Sequence, residues 1–482
     1  MADALTNPHK PADVAAPDSY KLPSRIRPEI KLYNHQVEGI RDLMHRSSFL
    51  LGDQPGLGKT LTALTVAAID FDMGWAKRVL IITPATLKGN WAAEVAKFTT
   101  FSALTLDGTP AKRRKQLQQF AKDGTEVLII NYELVAKHID DLQALGFDIA
   151  IADEAHAIKN YKSVRSKAVR QLKVGRRMPL TASPIMNRAD ELWPILNWIS
   201  PEEFPNYWRF VNRYALFGGY GGKQVVGVKR VEELRETLDG YMLRRLKSDV
   251  LDLPPKLYTP VLVDLHPAQR EIYDQVEQEL LLQIPGDPTP MEIESGMTKM
   301  LRLKQIVSTP ANLELPDTSA KLDVAVDRAN DLLADGERVV IFTQFRGTLA
   351  SLEARFRSRG IKPYALHGDV PQSERRPIVD AWSSSKPAPL LAMLQVGAVG
   401  LTLTAASTAI FVDKLWTPEM NTQAEDRLHR IGTTETVQII DLIAARTIEQ
   451  RIQKVLQAKE DLFDNIVDYK RALYRAATNE ED

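Results

Sequence analysis

Cysteine is absent from the chain, which excludes disulfide bridges and thiolate metal sites. The eight histidines are scattered, and no run of them has zinc-ligand spacing. Also missing is any apolar run near the roughly 20 residues needed to cross a bilayer. The strongest runs, such as VLIIT and VVIFTQF, are four to seven residues long. Net charge is zero, with 62 Lys and Arg against 62 Asp and Glu, so attraction to a phosphate backbone must come from local basic surface. The opening MADALTNPHKPADVAAPDSY lacks the basic start and apolar stretch of a secretory signal. Residues 1–28 are expected to be a flexible tail, with no membrane association and a cytoplasmic location, near the nucleoid or in host cytoplasm if the source is viral. No repeat of solenoid period and no extended low-complexity segment is present.

What is present is an ordinary globular composition, 44% hydrophobic and 26% charged over 482 residues, enough for two large domains or three small ones. Short runs rich in Val, Ile and Leu recur at VLIIT (79–83), EVLIIN (126–131) and FDIAIAD (147–153). They recur again at RVVIFTQF (338–345), APLLAMLQV (388–396), TAIFVDKL (408–415) and VQIIDLI (437–443). Turn-bounded apolar runs separated by helix-like stretches are the pattern of parallel sheets covered on both faces. Two α/β lobes follow, at 29–186 and 320–446. The stretch 187–319, interrupted by GGYGG and PGDPTP, is assigned to helical protrusions and a linker. From Thr447 onward, Ile448, Ile452, Val455, Leu456, Leu462, Phe463 and Ile466 keep close to the 3.6-residue period, so 447–482 is expected to be an amphipathic brace helix with a frayed acidic end.

The chemistry concentrates in three places. In LLGDQPGLGKTLTALTVAAI (50–69), a glycine-rich turn enters a helix, the arrangement of a phosphate cradle. Gly56 and Gly58 let backbone N–H groups face phosphate oxygens, Lys59 reaches the β- and γ-phosphates, and Thr60 can ligate magnesium. Asp53 stands where the first glycine of the full GxxxxGK[ST] pattern would be. A glycine turn capping a helix by chance is the bland alternative. DEAH (153–156) ends the apolar run IAIA, putting its acids at the carboxyl edge of a buried strand, where ligands bind in parallel sheets. There Asp153 would hold magnesium and Glu154 would orient and deprotonate the attacking water. Alone, such an acidic pair is more often a helix cap or a solvated turn. In QAEDRLHRIG (423–432), Arg427 and Arg430 are three residues apart, the spacing of one helical face, and suit a triphosphate approached from the opposite side. Their bland alternative is an ion-pair network with Glu425 and Asp426.

From Ile30 to Tyr469 the chain resembles the SWI/SNF-type branch of superfamily 2 helicases, the DNA translocases that include annealing helicases. The motifs that carry the likeness run in order: LYNHQVEGI (32–40), DQPGLGKT (53–60), LIITPATLKGNWAAEVAKF (80–98), IINYE (129–133), DEAHAIKN (153–160) and LTASPIMN (180–187). They continue as LRRLKSDVLDLPPK (243–256), LRLKQIVSTP (301–310), AKLD (320–323), VVIFTQF (339–345), LHGDV (366–370), GAVGLTLTAA (397–406), QAEDRLHRIG and TIEQRI (447–452). The resemblance implies RecA-like lobes, ATP and Mg2+. It also implies that Gln36 contacts the adenine edge, that Thr181 and Ser183 couple the ATP site to DNA, and that Gly400 lies near the nucleotide. Gln54 and Pro55 depart from the family's acidic-methionine lead into the glycine loop, and Thr433 replaces a common glutamine.

KNYKSVRSKAVRQLKVGRR (159–177) contains no acid and directly follows the DEAH segment, so Lys159, Lys162, Arg165 and Lys167 are candidate phosphate contacts. Arg244 and Arg245 are further candidates, as are Lys112 to Lys115, and Lys299 with Arg302 and Lys304. The implied function is ATP-dependent translocation by a monomer on double-stranded DNA, sequence-independent and without obligatory strand separation. A strand-separating repair or replication helicase is the alternative within the class, and a non-hydrolysing DNA-binding scaffold the alternative outside it. The sequence shows no bromodomain, chromodomain or zinc module, which suits a minimal motor of bacterial or phage type.

Overall fold

In the computed structural model, which describes residues 21–181, 189–218, 224–251, 253–281, 290–397, 401–416, 418–430, 433–451 and 453, the apolar runs form parallel strands. The chain packs as two units, Met1–Asp252 and Leu253–Asp482. The strands of the first are β1 (Leu50–Leu51), β2 (Val79–Thr83), β3 (Ala103–Thr105), β4 (Val127–Asn131), β5 (Ile149–Asp153), β6 (Arg176–Leu180), β7 (Ala215–Gly218), β8 (Gln224–Val228) and β9 (Met242–Leu243). Seven of them form a sheet in the order β3-β4-β2-β5-β6-β1-β9, parallel at every pairing, while β7 and β8 make a separate antiparallel ribbon.

Period-2 alternation explains why β2 and β4 read as continuous apolar runs. Leu80, Ile82, Leu128 and Ile130 enter the core on one face of the sheet, and Val79, Ile81, Val127 and Ile129 enter the core on the other. The second face is covered in part by two helices that carry the site, α1 (Asn34–Met44) and α2 (Lys59–Asp72), through Val37, Ile40, Leu64 and Ala68.

The second unit holds β10 (Lys256–Val263), β11 (Val339–Thr343), β12 (Tyr364–Leu366), β13 (Pro389–Met393), β14 (Thr408–Phe411) and β15 (Val437–Ala444). They form one parallel sheet in the order β10-β15-β14-β11-β13-β12. Its cores again lie on both faces, Val340 and Phe342 in one and Val339 and Ile341 in the other. The two-sheet α/β architecture expected from the sequence is the one observed.

Three sequence expectations are corrected. Residues 21–28 are not a loose tail: Ile26 is buried and bridges Thr99, and Arg27 donates to the Ala96 carbonyl at 2.9 Å. The short span hid an anchor that only its tertiary partners supply. The stretch 187–319 is not purely helical, since β7, β8, β9 and β10 fall within it, with β9 completing the first sheet and β10 the second. β10 is an edge strand with much of its length exposed, so it lacks the continuous apolar run of a central strand. APLLAMLQV is divided, its end turning into the short helix Leu394–Gly397. Most of the expected C-terminal brace lies outside the described residues; Ile448, at its start, is buried with Leu265 and Tyr273.

Candidate active site

β1, β6 and β5 are adjacent and parallel, so the loop leaving β1 and the acids ending β5 emerge at one edge of the sheet. With strands about 4.8 Å apart, the two segments start about 10 Å from each other. At that edge the loop 52–58 turns through Gly56 (φ 88°) and Gly58 (φ 79°), left-handed conformations that suit glycine, and Gly58 caps α2 at its N-terminus. The first residues of α2 are Lys59 and Thr60, so the lysine, a hydroxyl and the positive end of the helix dipole lie together. Lys59 Nζ donates to the carbonyls of Asp53 (2.7 Å) and Gln54 (3.3 Å), folded back along the loop that a nucleotide would occupy.

The loop is bracketed from both sides. Asp53 is fully buried, and its carboxylate accepts from the backbone N–H of Arg245 (3.0 Å) and from its Nε (3.1 Å), with Nη2 on the second oxygen. Gln54, one of the departures from the family pattern, accepts the Lys247 N–H on its side-chain oxygen at 2.7 Å. At the far end, His35 Nε2 lies 3.1 Å from the Leu57 carbonyl oxygen. Gln36 accepts the Tyr33 N–H at 3.0 Å, closing the first turn of α1, and its amide nitrogen donates to the Gly58 carbonyl at 3.5 Å. A side chain at position 58 would push that amide aside, while the left-handed backbone there is what favours glycine.

Asp153 receives the indole N–H of Trp91 on Oδ2 at 2.8 Å, and its backbone carbonyl takes the Tyr132 hydroxyl at 2.7 Å. Burial and the neighbouring Glu154 carboxylate push the Asp153 carboxyl up to about 6, against the lowering pull of Trp91 and of the Lys59 ammonium. The lysine placed by α2 is therefore near enough to the acid placed by β5 to favour its ionised form. Glu154 itself has φ 50° and ψ 53°, left-handed backbone in a non-glycine residue, at the entry to the 3-10 turn Ala155–Ile158. Its carboxylate lies 3.2 Å from His156 Nδ1. Strain of this kind persists only where surrounding structure imposes it, here the β5 strand on one side and the buried Ala155 and Ile158 on the other.

Among the described residues, no three His, Cys, Asp or Glu side chains gather to hold a metal. Magnesium needs no such cage, since it takes one or two protein oxygens and leaves its other positions to water and phosphate. Asp153 and Thr60 supply an oxygen-only donor set at one sheet edge, and a crowded carboxylate that a cation would relieve. The residues fit the ion.

Thr181 is buried just beyond β6 and donates its N–H to the Leu51 carbonyl at 3.1 Å, beside the strand that leads into the phosphate loop. Ser183 and Gly400 lie outside the described residues.

Arg427 and Arg430 belong to the second unit, and the idea that they share a helical face is corrected. The helix Pro418–Glu425 stops before them, and the chain continues as a tight turn in which Arg427 N–H donates to the Ala424 carbonyl at 3.1 Å. Tertiary bonds enforce the stop. Lys256 on β10 takes Glu425 (3.2 Å) and Asp426 (2.9 Å), His429 Nε2 meets the Pro254 carbonyl at 2.7 Å, and the Arg427 carbonyl accepts the Leu403 N–H at 2.9 Å. Arg430 donates to Thr402 Oγ1 at 3.0 Å. Thr433 closes the turn, its hydroxyl donating to the Leu428 carbonyl at 2.6 Å and accepting the Arg430 N–H at 3.2 Å.

The basic stretch sorts into two sets. Lys162, Arg165 and Lys167 are exposed at the helix Val164–Gln171, with Lys162 over the Tyr161 ring and Arg165 3.8 Å from Glu133. Lys159 pairs with Glu191 at 3.2 Å. Arg170 instead turns inward over Trp193, and Arg176 pairs with the buried Asp70 at 2.7 Å. Arg244 is half-buried, and Arg245 is committed to Asp53. Lys304, expected on a phosphate track, is buried, with its ammonium on the Lys414 carbonyl and near the Trp416 ring. Trp91, Tyr132 and the inward role of Arg245 escaped the sequence reading. All three lie in recognised motifs, yet no spacing rule announces which distant residue a side chain meets.

Residues 35–312 match the SNF2-related domain, and residues 321–432 match the helicase conserved C-terminal domain. The chain is 29% identical to an uncharacterized ATP-dependent helicase of Mycoplasma pneumoniae, over 93% of this chain and 43% of that protein. It is 27% identical to TATA-binding protein-associated factor 172 of Homo sapiens, over 93% of this chain and 28% of that one. It therefore spans less than half the length of these curated relatives. Among solved structures, the Sulfolobus solfataricus SWI2/SNF2 ATPase core in complex with dsDNA aligns at 26% identity over 95% of this chain and 97% of that one, with a TM-score of 0.45. Since the first domain match alone takes in more than half of the sequence, the chain belongs to the SNF2-related family, with a helicase conserved C-terminal domain as its second part.

Proposed function

We propose that this protein hydrolyses ATP and uses the energy to translocate along double-stranded DNA, without obligatory strand separation. The observation that carries the reading is the convergence of Lys59, Asp153 and Glu154 at one sheet edge in a member of the SNF2-related family. Lys59 and the N–H groups around Gly56 and Gly58 receive the β- and γ-phosphates. Asp153 and Thr60 hold magnesium, which would offset charge on the phosphate oxygens when bound. Glu154 orients the attacking water and takes its proton. Arg427 and Arg430, by family resemblance, stabilise charge on the transferring phosphoryl group. Gln36 reads the adenine edge, Gly400 lies near the nucleotide, and Thr181 and Ser183 couple the cycle to DNA.

The exposed cations Lys162, Arg165 and Lys167 support a sequence-independent track on phosphate. The protein acts as a monomer in the cytoplasm. The decisive experiment compares ATP turnover with duplex DNA, forked DNA, single-stranded DNA and RNA, together with triplex displacement. Stimulation by duplex and displacement of a third strand without unwinding are expected. Stimulation by RNA alone would sink the duplex reading, and turnover surviving Glu154→Gln would sink the hydrolytic one. Arg427→Ala and Arg430→Ala should each abolish turnover while nucleotide binding persists.

A further inference from the structure

The guanidinium of Arg245 is inside the first unit, with its side chain 13% exposed against a fully buried Asp53 carboxylate. It joins three segments far apart in sequence. Nε and Nη2 take the two oxygens of Asp53, at the start of the phosphate loop. Nη1 takes the carbonyl of His35, on the helix that carries Gln36. Its own backbone adds two further ties, Arg245 N–H to Asp53 Oδ1 at 3.0 Å and Gln54 N–H to the Arg245 carbonyl at 3.1 Å. The other face of the same bracket is His35 Nε2 at the Leu57 carbonyl, 3.1 Å away.

A second observation points the same way. Gly39 lies in the interior of α1, where glycine costs helix stability relative to alanine. A Cβ there would stand 2.5 Å from Arg245 Nη1 and 2.9 Å from Cζ. The helix gives up a side chain at the point where the guanidinium passes.

We infer that Arg245 is a positioning residue of the nucleotide site: it holds Asp53, and with it the phosphate loop, in fixed relation to the adenine-side helix α1. This rests on ATP being the substrate, as proposed above. The planar fork of arginine meets a carboxylate through two nitrogens while a third reaches the His35 carbonyl, a geometry lysine cannot reproduce. The loop's Asp53, which breaks the usual glycine pattern, is the acceptor built for it. Arg245 thus serves the ATP site from within rather than a DNA phosphate from the surface.

The test uses the full chain and compares wild type with Arg245→Ala, Arg245→Lys, Gly39→Ala, Asp53→Asn and the double variant Arg245→Ala with Asp53→Asn. ADP binding is titrated without DNA, KM and kcat for ATP are measured with saturating duplex, and duplex affinity is measured at two salt concentrations. Arg245→Ala and Gly39→Ala are expected to weaken ADP binding and raise KM roughly tenfold, the equivalent of about 1.4 kcal/mol, with a smaller change in kcat. Arg245→Lys should recover only part of the loss, and the effects of Arg245→Ala and Asp53→Asn should be strongly non-additive. Duplex affinity and its salt slope should stay at wild-type values. Gly39→Ala keeps the test open if Arg245→Ala fails to fold, because alanine favours the helix and only the guanidinium is displaced. An Arg245→Ala protein with normal ADP affinity but weaker, less salt-dependent duplex binding would overturn the inference, as would a silent Gly39→Ala. A wild-type chain that binds no ADP would instead overturn the ATP reading beneath it.

Discussion

Trp91 donates its indole N–H to Asp153 Oδ2 at 2.8 Å, so an aromatic residue of the helix Lys88–Phe98 fixes the orientation of the carboxylate proposed to hold magnesium. The bond favours the ionised acid, in opposition to burial and to Glu154. Trp91→Phe should therefore raise the Asp153 pKa further and increase the magnesium concentration needed for half-maximal turnover several-fold. Magnesium titrations of ATPase rate at pH 6.5 and 8 would check this, with the larger defect expected at the lower pH.

Glu154 is held at φ 50°, a conformation that costs an L-residue about 1–2 kcal/mol and glycine little. Glu154→Gly is expected to stabilise the nucleotide-free protein by about 1 kcal/mol while removing turnover. Glu154→Gln should bind ATP and lose about 10²- to 10⁴-fold in rate without that gain in stability. Denaturant melts alongside single-turnover kinetics distinguish the two. Equal stability of the glycine and glutamine variants would show that the backbone is not strained in solution.

Lys321 is completely buried and pairs with Glu449 at 2.7 Å, and Glu449 also accepts the Ala444 N–H at 3.0 Å at the end of β15. This joins the AKLD and TIEQRI motifs. Removing one charge strands the other, so Lys321→Ala should destabilise the second unit by about 3–5 kcal/mol. Replacing both, as Lys321→Met with Glu449→Leu, should cost much less. Urea melts of the three proteins would measure the difference.

Lys304 is pushed down to about 8 by burial, with Asp413 opposing the shift. The folded value lies below the ordinary 10.5, so between about 8 and 10.5 the unfolded chain binds more protons than the native one. Stability contributed by this group therefore rises with pH across that window, and the cost of the buried charge is fully present below it. Lys304→Met should raise stability at pH 7 by up to about 3 kcal/mol, and the gain should shrink as pH climbs toward 10. A gain independent of pH would assign the effect to packing instead.

The parallel strands at the centre of each unit were legible because both faces of β2, β4, β5 and β11 are buried, which forces unbroken runs of Val, Ile, Leu and Ala. Gly56, Gly58 and Lys59 were legible for a similar reason: a phosphate cradle needs left-handed turns next to a helix start, and few residue types permit them. β10 was less so, because an edge strand such as KLYTPVLV has no continuous apolar demand. The helical face assigned to Arg427 and Arg430 failed because spacing does not know that Lys256 and the Pro254 carbonyl seize Glu425, Asp426 and His429.

By itself, then, the sequence determined the two-sheet α/β architecture, the SNF2-type motif order and the glycine turn that enters α2, since each depends on local periodicity or local backbone freedom. Which cations face solvent was decided only by tertiary structure. Arg245 and Lys162 look alike in a string of letters, but one meets a buried carboxylate 192 residues away and the other lies on an exposed helix-flanking turn. Charge is a property of a residue, whereas its partner is a property of the fold.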